Sequence, residues 1–359
     1  MSTKSTLFGI AGATALALIA NAAMAQDAPP AGTIVDGSLK GKTLTFVSYG
    51  GIYQDGQVAA MKDFVDKTGV TLLNDGPTEI AKLQAQVESG NVTWDVVDTD
   101  DLPPYVHCGT LFQKLDFSKL DISHIPPGQV GECSVPAMNY GIVLMYKNDT
   151  YKDNPPKDWK DFLDTEKFPG TRAIDGSGSP IGALIEQAVL AEGGSAENMT
   201  KEDIDKGIAK IKAIGPDTIF WKTGAESQQL AESGEADMIM MWTGRAMTAV
   251  NNGAQYTPVW QDWMVVMDQM TIPVGVKDTD AAYALINAYL GKKEQEILTE
   301  QTSYSPINGE AQPNVDASVA AFLTNTPDRV KQGYQQNIKF WVQNFDYASE
   351  KWTALMAGN

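Results

Sequence analysis

The stretch TLTFVSYGGIYQDGQVAAMKDFVDKTGVTLLNDGPTEIAKLQAQVESGNVTWDVVD, residues 43–98, decides the fold class. It opens on TLTFV (43–47), a short β-prone run, and turns at Gly50-Gly51. Residues 53–67 then carry Val58, Met61, Phe64 and Val65 at helical spacing. VTLLN (70–74) is a second strand. A helix over about 78–89 puts Ile80, Leu83 and Val87 on one stripe, and WDVVD (94–98) is a third strand. This β-α-β-α-β order predicts a parallel sheet flanked by helices, hence an α/β fold. Ligands of open α/β sheets bind off the carboxyl ends of strands, so the residues just after each strand carry the functional reading.

The same style continues towards the C-terminus. GIVLMYK (141–147) is a strand, Asp158 to Phe162 opens a short helix, TRAID (171–175) is a strand, and a helix runs from about Ile181 to Ala191. Thr200 caps a helix with Glu202 and Asp203 in its first turn and Ile204, Ile208 and Ile211 on one stripe. TIFWK (218–222), ADMIMMW (236–242) and DWMVVMDQMTIPVG (262–275) are strands. Asp278 or Asp280 starts another helix, with Leu285, Ile286, Tyr289 and Leu290 inward, and the last sixty residues read mostly helical. Two α/β halves in a chain of 359 residues predict two lobes.

Upstream, Lys4 precedes an apolar run from Leu7 to about Ala23, and Ala23-Met24-Ala25 supplies the small residues a signal peptidase reads. The run is shorter than the roughly 20 residues a spanning helix needs. The expectation is a signal peptide over 1–25 cleaved after Ala25, and a soluble periplasmic protein with no membrane insertion of the mature chain. The Pro/Gly-rich residues 26–41 read as a disordered leader. The formal net charge of −18 becomes −19 once Lys4 leaves with the signal, which disfavours nucleic acid and anionic membranes as partners. The two cysteines, Cys108 and Cys133, read as a disulfide in an exported chain. With only His107 and His124 present, a metal centre is poorly supported, and neither metal nor cofactor is expected.

The strand ends offer binding chemistry. After TLTFV come Ser48, Tyr49 and Tyr53 around two glycines: a backbone a ligand can approach, with two aromatic faces, or an ordinary turn with surface tyrosines. Thr99, Asp100 and Asp101 follow WDVVD and either cap the next helix or meet ligand. Trp242 leaves a buried strand as a platform for a cation, and Arg245 sits in the first turn of the next helix, placed to clamp a carboxylate; the plainer reading is a core Trp and a surface Arg. Asp268 interrupts an apolar strand, so it meets either a ligand amine or a protein cation. No nucleophile elbow, P-loop or dinucleotide motif is present, and Gly176-Ser177-Gly178-Ser179-Pro180 fits a plain strand-to-helix turn.

Taken in order, the export signal, the strand ending in Ser-Tyr-Gly-Gly, Trp-Asp-Val-Val, the M-x-W-x-G-R segment at 240–245, Met-Asp-Gln-Met-x-Ile-Pro-x-Gly at 267–275 and Tyr304-Ser305-Pro306-Ile307-Asn308 resemble the spermidine/putrescine-binding branch of the family 1 extracellular solute-binding proteins of ABC importers. The resemblance runs over nearly the whole mature chain. It implies a type II periplasmic binding fold with two hinge crossovers, near 144 and 267, one lobe formed by 42–144 and 268–309 and the other by 145–267 and 310–359. It also implies hinge closure on a small ligand, delivery to permease subunits and no catalysis. Ligand contacts carried over are Tyr49 or Tyr53, Trp242, Asp268 and Tyr304, with the late Trp341 as a further cleft residue.

Where polyamine binders carry acids on the first helix of lobe two, this chain has the Gly/Ser stretch 176–182, with Asp175 nearby; Val266 replaces an aromatic, and Arg245 adds a positive charge. An amino acid such as 4-aminobutyrate fits Asp268 plus Arg245 better, and the expected ligand is either a polyamine such as putrescine or spermidine or such a zwitterion. The competing classes are an exported α/β hydrolase, which needs a nucleophile–base pair, and a ferric-ion receptor, which favours adjacent tyrosines. The mature protein is expected to be a monomer.

Overall fold

The computed structural model describes residues 28–176, 180–182 and 184–358. The expected signal peptide and residues Ser177, Gly178 and Ser179 of the Gly/Ser turn lie outside the described residues.

The opening stretch folds as read. β1 (Thr43–Val47) runs parallel to β2 (Thr71–Asp75) on one side and β3 (Val96–Asp100) on the other. Between them run α1 (Gly51–Ala60), α2 (Lys62–Thr68) and α3 (Ile80–Ser89), and α4 (Leu102–Val106) follows β3. The Gly-Gly turn is required by the backbone: Gly50 has φ 80° with ψ −177°, a region open essentially only to glycine, and Gly51 has φ 60°.

A second parallel unit forms downstream. β5 (Arg172–Asp175) lies between β6 (Thr218–Trp221) and β7 (Met238–Trp242). Around it stand α5 (Trp159–Leu163), α6 (Ile185–Ala191), α7 (Lys201–Ala213), α8 (Gly224–Ser233) and α9 (Thr243–Asn251). The start read at Thr200 is a full capping box: its side chain accepts from the Asp203 N–H while the Asp203 carboxylate accepts from the Thr200 N–H.

Two long strands join the units. β4 (Val135–Lys147) and β8 (Tyr256–Thr271) pair antiparallel along their length, giving the order β2-β1-β3-β8-β4-β7-β5-β6. β3 joins β8 at its C-terminal end, from Asp100↔Asp268 to Val97↔Thr271. β7 joins β4 at its C-terminal end, from Ile142↔Trp242 to Tyr146↔Met238. The sequence expectation of 141–147 stopped short, because Pro136 and the polar Asn139 and Tyr140 hid the first half of β4. From Ile142 onward β4 also pairs with β7, so that half of the strand is part of the second unit's sheet. Gly141 is needed for packing there: a Cβ would come within 2.6 Å of the Trp263 ring.

The remaining helices divide between the units. α10 (Thr279–Tyr289) and α11 (Lys292–Thr302) cover the first. After α12 (Ala317–Ala320) and α13 (Pro327–Gln332), β9 (Tyr334–Gln335) pairs with β8, and α14 (Ile338–Met356) buries Phe340, Trp341, Ala348, Trp352 and Leu355 in the second. The cores separate accordingly. One is built from residues such as Phe46, Phe64, Val96, Tyr289 and Leu298, the other from Leu144, Trp159, Ile174, Met240 and Trp352.

The leader expectation is corrected: its described residues, 28–41, are tied down. Gly32 N–H donates to Asn287 O at 2.8 Å, Gly37 N–H to Lys67 O at 2.8 Å, and Leu39 is 6% exposed. Pro and Gly shape turns there, and α10 (Asn287) together with α2 (Lys67 and Thr68) supplies the partners. Cys108 and Cys133 are bonded, 25 residues apart. Replacing both with serine is expected to cost about 3 kcal/mol in the chain-entropy model, read as a lower denaturation midpoint with ligand affinity unchanged.

Candidate functional site

Where β4 and β8 pass between the units, a cavity of about 620 Å³ opens. The first unit lines it with Tyr49, Tyr53, Asp100, Met138, Tyr140, Asp268, Thr302 and Tyr304, and the second with Trp242, Gly244, Arg245, Met247 and Thr248. Its walls are aromatic. Tyr304 stands edge-on to Tyr53 at 5.3 Å and beside Tyr140 at 6.0 Å, and Tyr140 meets Trp242 at 6.4 Å. Trp242 is held from behind: Trp221 abuts it edge-on at 5.7 Å, and the ring lies so close to α8 that a Cβ on Gly224 would come within 2.8 Å of it. The Tyr49 hydroxyl accepts from the Asp100 N–H at 3.0 Å. Such faces suit an organic cation.

The floor is acidic. In the β3–β8 register Asp100 is directly opposite Asp268, and Asp98, two residues along, shares that sheet face. Asp98 and Asp268 are 0% and 7% exposed. Burial pushes the Asp98 carboxyl up to about 7, and it raises Asp268 well above the usual range, with Asp98, Asp100 and Asp101 adding like charge. Burial likewise raises Asp100, and takes Asp101 to about 7. Among the described residues no lysine or arginine forms an ion pair with any of these four acids. Across the cavity, Arg245 has no carboxylate partner among the described residues; its Nη1 donates to Gln228 Oε1 at 3.3 Å. Arg245 sits in the first turn of α9, whose free N–H groups also favour an anion.

Of the residues the sequence singled out, Tyr49, Tyr53, Trp242, Arg245, Asp268 and Tyr304 come together here. Others do not. Ser48 is 0% exposed and serves behind the floor, bonded to Asp98 and Gln57. Thr99 is 1% exposed and does not line the cavity, its hydroxyl lying behind the wall beside that of Tyr49. Asp101 precedes α4 and lines a neighbouring cavity of about 640 Å³ with Gln269 and Gln336. Trp341 is corrected: α14 buries it completely in the second core, and its Nε1 donates to Glu186 Oε1 at 2.7 Å. Trp341→Ala should therefore cost roughly 3–5 kcal/mol of stability and leave ligand affinity within about twofold, read by melting and calorimetry side by side.

Sequence reading missed Asp98 and Tyr140 as members of the site, and left Asp100 open between capping the next helix and meeting ligand. The i, i+2 spacing of Asp98 and Asp100 at a strand end was the available signal. Tyr140 gave none, because its stretch of β4 was not recognised.

These buried acids also set a pH trend. Asp98, Asp101 and Glu186, each raised to about 7, bind more protons folded than unfolded between about pH 4 and pH 7. Their stabilisation is present below the unfolded value and lost as pH rises through the folded one. The empty protein should melt roughly 5 °C higher at pH 5.5 than at pH 8.

A cleft between two α/β units, lined by charges of both signs that have no ion-pair partner among the described residues, has the form of a ligand-binding site. The bacterial extracellular solute-binding protein family matches residues 59–325, and the chain belongs to that family. It is 25% identical over 325 residues to the gamma-aminobutyric acid-binding protein of Pseudomonas aeruginosa, covering 88% of this chain and 91% of the relative. It is 23% identical over 239 residues to the spermidine/putrescine-binding periplasmic protein of Escherichia coli, covering 63% and 67%. A solved GABA receptor superposes with a TM-score of 0.76 at 34% identity, covering 88% of this chain and 97% of that one. The chain is the substrate-binding component of an ABC importer and not an enzyme; it binds a small ligand and works with permease subunits. Among the described residues no helix is long and apolar enough to cross a membrane.

Proposed function

We propose that the cleft captures a small zwitterion carrying an ammonium and a carboxylate some carbons apart, of which 4-aminobutyrate is the simplest case. The observation that carries this reading is the pair of charges in one cavity, Asp268 buried on the first unit and Arg245 on the second, neither with an ion-pair partner among the described residues. A buried carboxylate without a cation is costly until a ligand supplies one. Arginine holds a carboxylate through two parallel N–H donors. The names of the relatives support an amine ligand. Lobes 42–144 with 268–309 and 145–267 with 310–359 would close on it about β4 and β8. The chain would be exported, cleaved after Ala25, and act as a monomer in the periplasm.

A polyamine is the second reading, favoured by Asp98, Asp100 and Asp101 gathered beside Asp268. A thermal-shift screen of the chain from Gln26 decides between them. A ligand at 100 times its dissociation constant stabilises by about 2.7 kcal/mol, or roughly 5 °C here. A shift with 4-aminobutyrate and none with putrescine or spermidine supports the zwitterion. The reverse pattern replaces it with a polyamine.

A further inference from the structure

Behind the cleft floor the hydrogen bonds do not balance with every carboxyl ionised. Ser48 Oγ lies 2.8 Å from Asp98 Oδ2 and 2.6 Å from Gln57 Oε1. Both oxygens are acceptors when Asp98 is a carboxylate, and a hydroxyl has one proton to donate. A second proton is needed, and a carboxylic acid at Asp98, donating to Ser48 Oγ, supplies it. Turning the Gln57 amide would set its oxygen, in place of Nε2, towards Asp98, which again favours a proton on that carboxyl. The Tyr53 hydroxyl stands beside both Asp98 and Asp268 and favours the charged form of each, while the other Asp98 oxygen has no close hydrogen-bond partner among the described residues.

The groups facing Asp98 hold no cation. They are Ser48 from β1, Tyr53 and Gln57 from α1, Asp100 from β3, Asp268 from β8, Tyr289 from α10, and Tyr304. The positive charge on the cleft side is Arg245, which acts on Tyr304. Two buried carboxyls on one sheet face, with such neighbours, cannot both ionise cheaply.

We propose that Asp98 and Asp268 hold one proton between them in the empty receptor and that a ligand's ammonium displaces it, so that capture releases a proton. The proposal rests on the reading of the cleft as an amine site. No bond in the ligand changes: the acid–carboxylate pair becomes two carboxylates around an ammonium, and the proton passes to solvent. Asp98 has no exposed surface, so it is a positioning residue that acts through Asp268. The raised Asp98 carboxyl, at about 7, puts the effect in the neutral range. Affinity should fall by about tenfold for each pH unit below the pair's midpoint. Asp98→Asn should flatten that dependence between pH 5.5 and pH 8.

The test has two arms. In the first, aspartate carboxyls of the ligand-free chain are followed by carbon-13 NMR from pH 4 to pH 9, assigned with Asp98→Asn and Asp268→Asn. One proton should remain on the pair at pH 6, and in Asp98→Asn the Asp268 signal should titrate lower than in the parent. Ionisation of both groups below pH 5 overturns the proposal, whatever the ligand is. If Asp98→Asn does not fold, Ser48→Ala, which removes the hydroxyl that pins Asp98, should shift the same signal.

In the second arm, 4-aminobutyrate and putrescine are titrated by calorimetry at pH 7 in phosphate and in Tris. A probe that binds should release a fraction of one proton, seen as a difference between the two buffers. Equal heats overturn the proton proposal and leave the amine site standing. No heat from either amine overturns the amine site, and the carboxyl titration then decides the shared proton by itself.

Discussion

Asp268→Asn should lower affinity for the amine ligand by roughly 30- to 5,000-fold, the range for truncating one partner of a buried charge pair, while the empty variant should melt higher than its parent. Both effects have one cause. Asp268 is 7% exposed, faces Asp100 across the β3–β8 register and has no protein cation among the described residues. Its charge is therefore a cost to the fold that the ligand's ammonium offsets. The isosteric amide removes the repulsion and the ligand contact together. Calorimetry and a melt of the same sample read the two signs. A variant that binds normally, or that is less stable when empty, would show that Asp268 has a structural partner instead.

Arg245→Glu should exchange ligand classes. Loss of the guanidinium removes a charge-assisted bond to the ligand carboxylate, about 1.5–3 kcal/mol or roughly 10- to 150-fold. The new carboxylate adds repulsion and makes the cleft acidic at both ends. Binding of 4-aminobutyrate should become undetectable, and putrescine should gain affinity. Because Arg245 is exposed and bonded to Gln228 alone among the described residues, stability should stay within about 0.5 kcal/mol. Unchanged 4-aminobutyrate binding would place the ligand carboxylate elsewhere.

The α/β class was legible because apolar runs and helical stripes alternate in residues 43–98, and the Gly-Gly turn was legible because Gly50 has a backbone few other residues can adopt. The central pair β4 and β8 was only half legible. Their inner residues serve both a sheet and a cleft, so polar Asn139, Tyr140 and Asp268 interrupt the apolar pattern that marks a strand. The residues singled out in the sequence that share the cavity stand, Tyr304 apart, at or just after strand ends or break an apolar run. Trp341 was misplaced because a helical tryptophan just after a polar Gln-Gln-Asn turn looks the same in core or cleft; burial decided it, with Glu186 as the hidden partner of its indole. Glu186 itself gave no signal, since a buried acid at the start of α6 reads as ordinary helix-capping charge. The described part of the leader was misjudged because its order comes from elements outside it, α2 about 30 residues on and α10 some 250 residues away.

The most direct measurement is a crystal structure of the chain from Gln26 grown with 4-aminobutyrate. The expected result is a closed cleft, the ligand nitrogen about 3 Å from Asp268 among Tyr53, Tyr304 and Trp242, and the carboxylate paired with Arg245. A ligand bound in the opposite sense, or seated beside Gln269 and Gln336 on the other face of β8, would contradict the assignment of Asp268 and Arg245 as the pair that selects it.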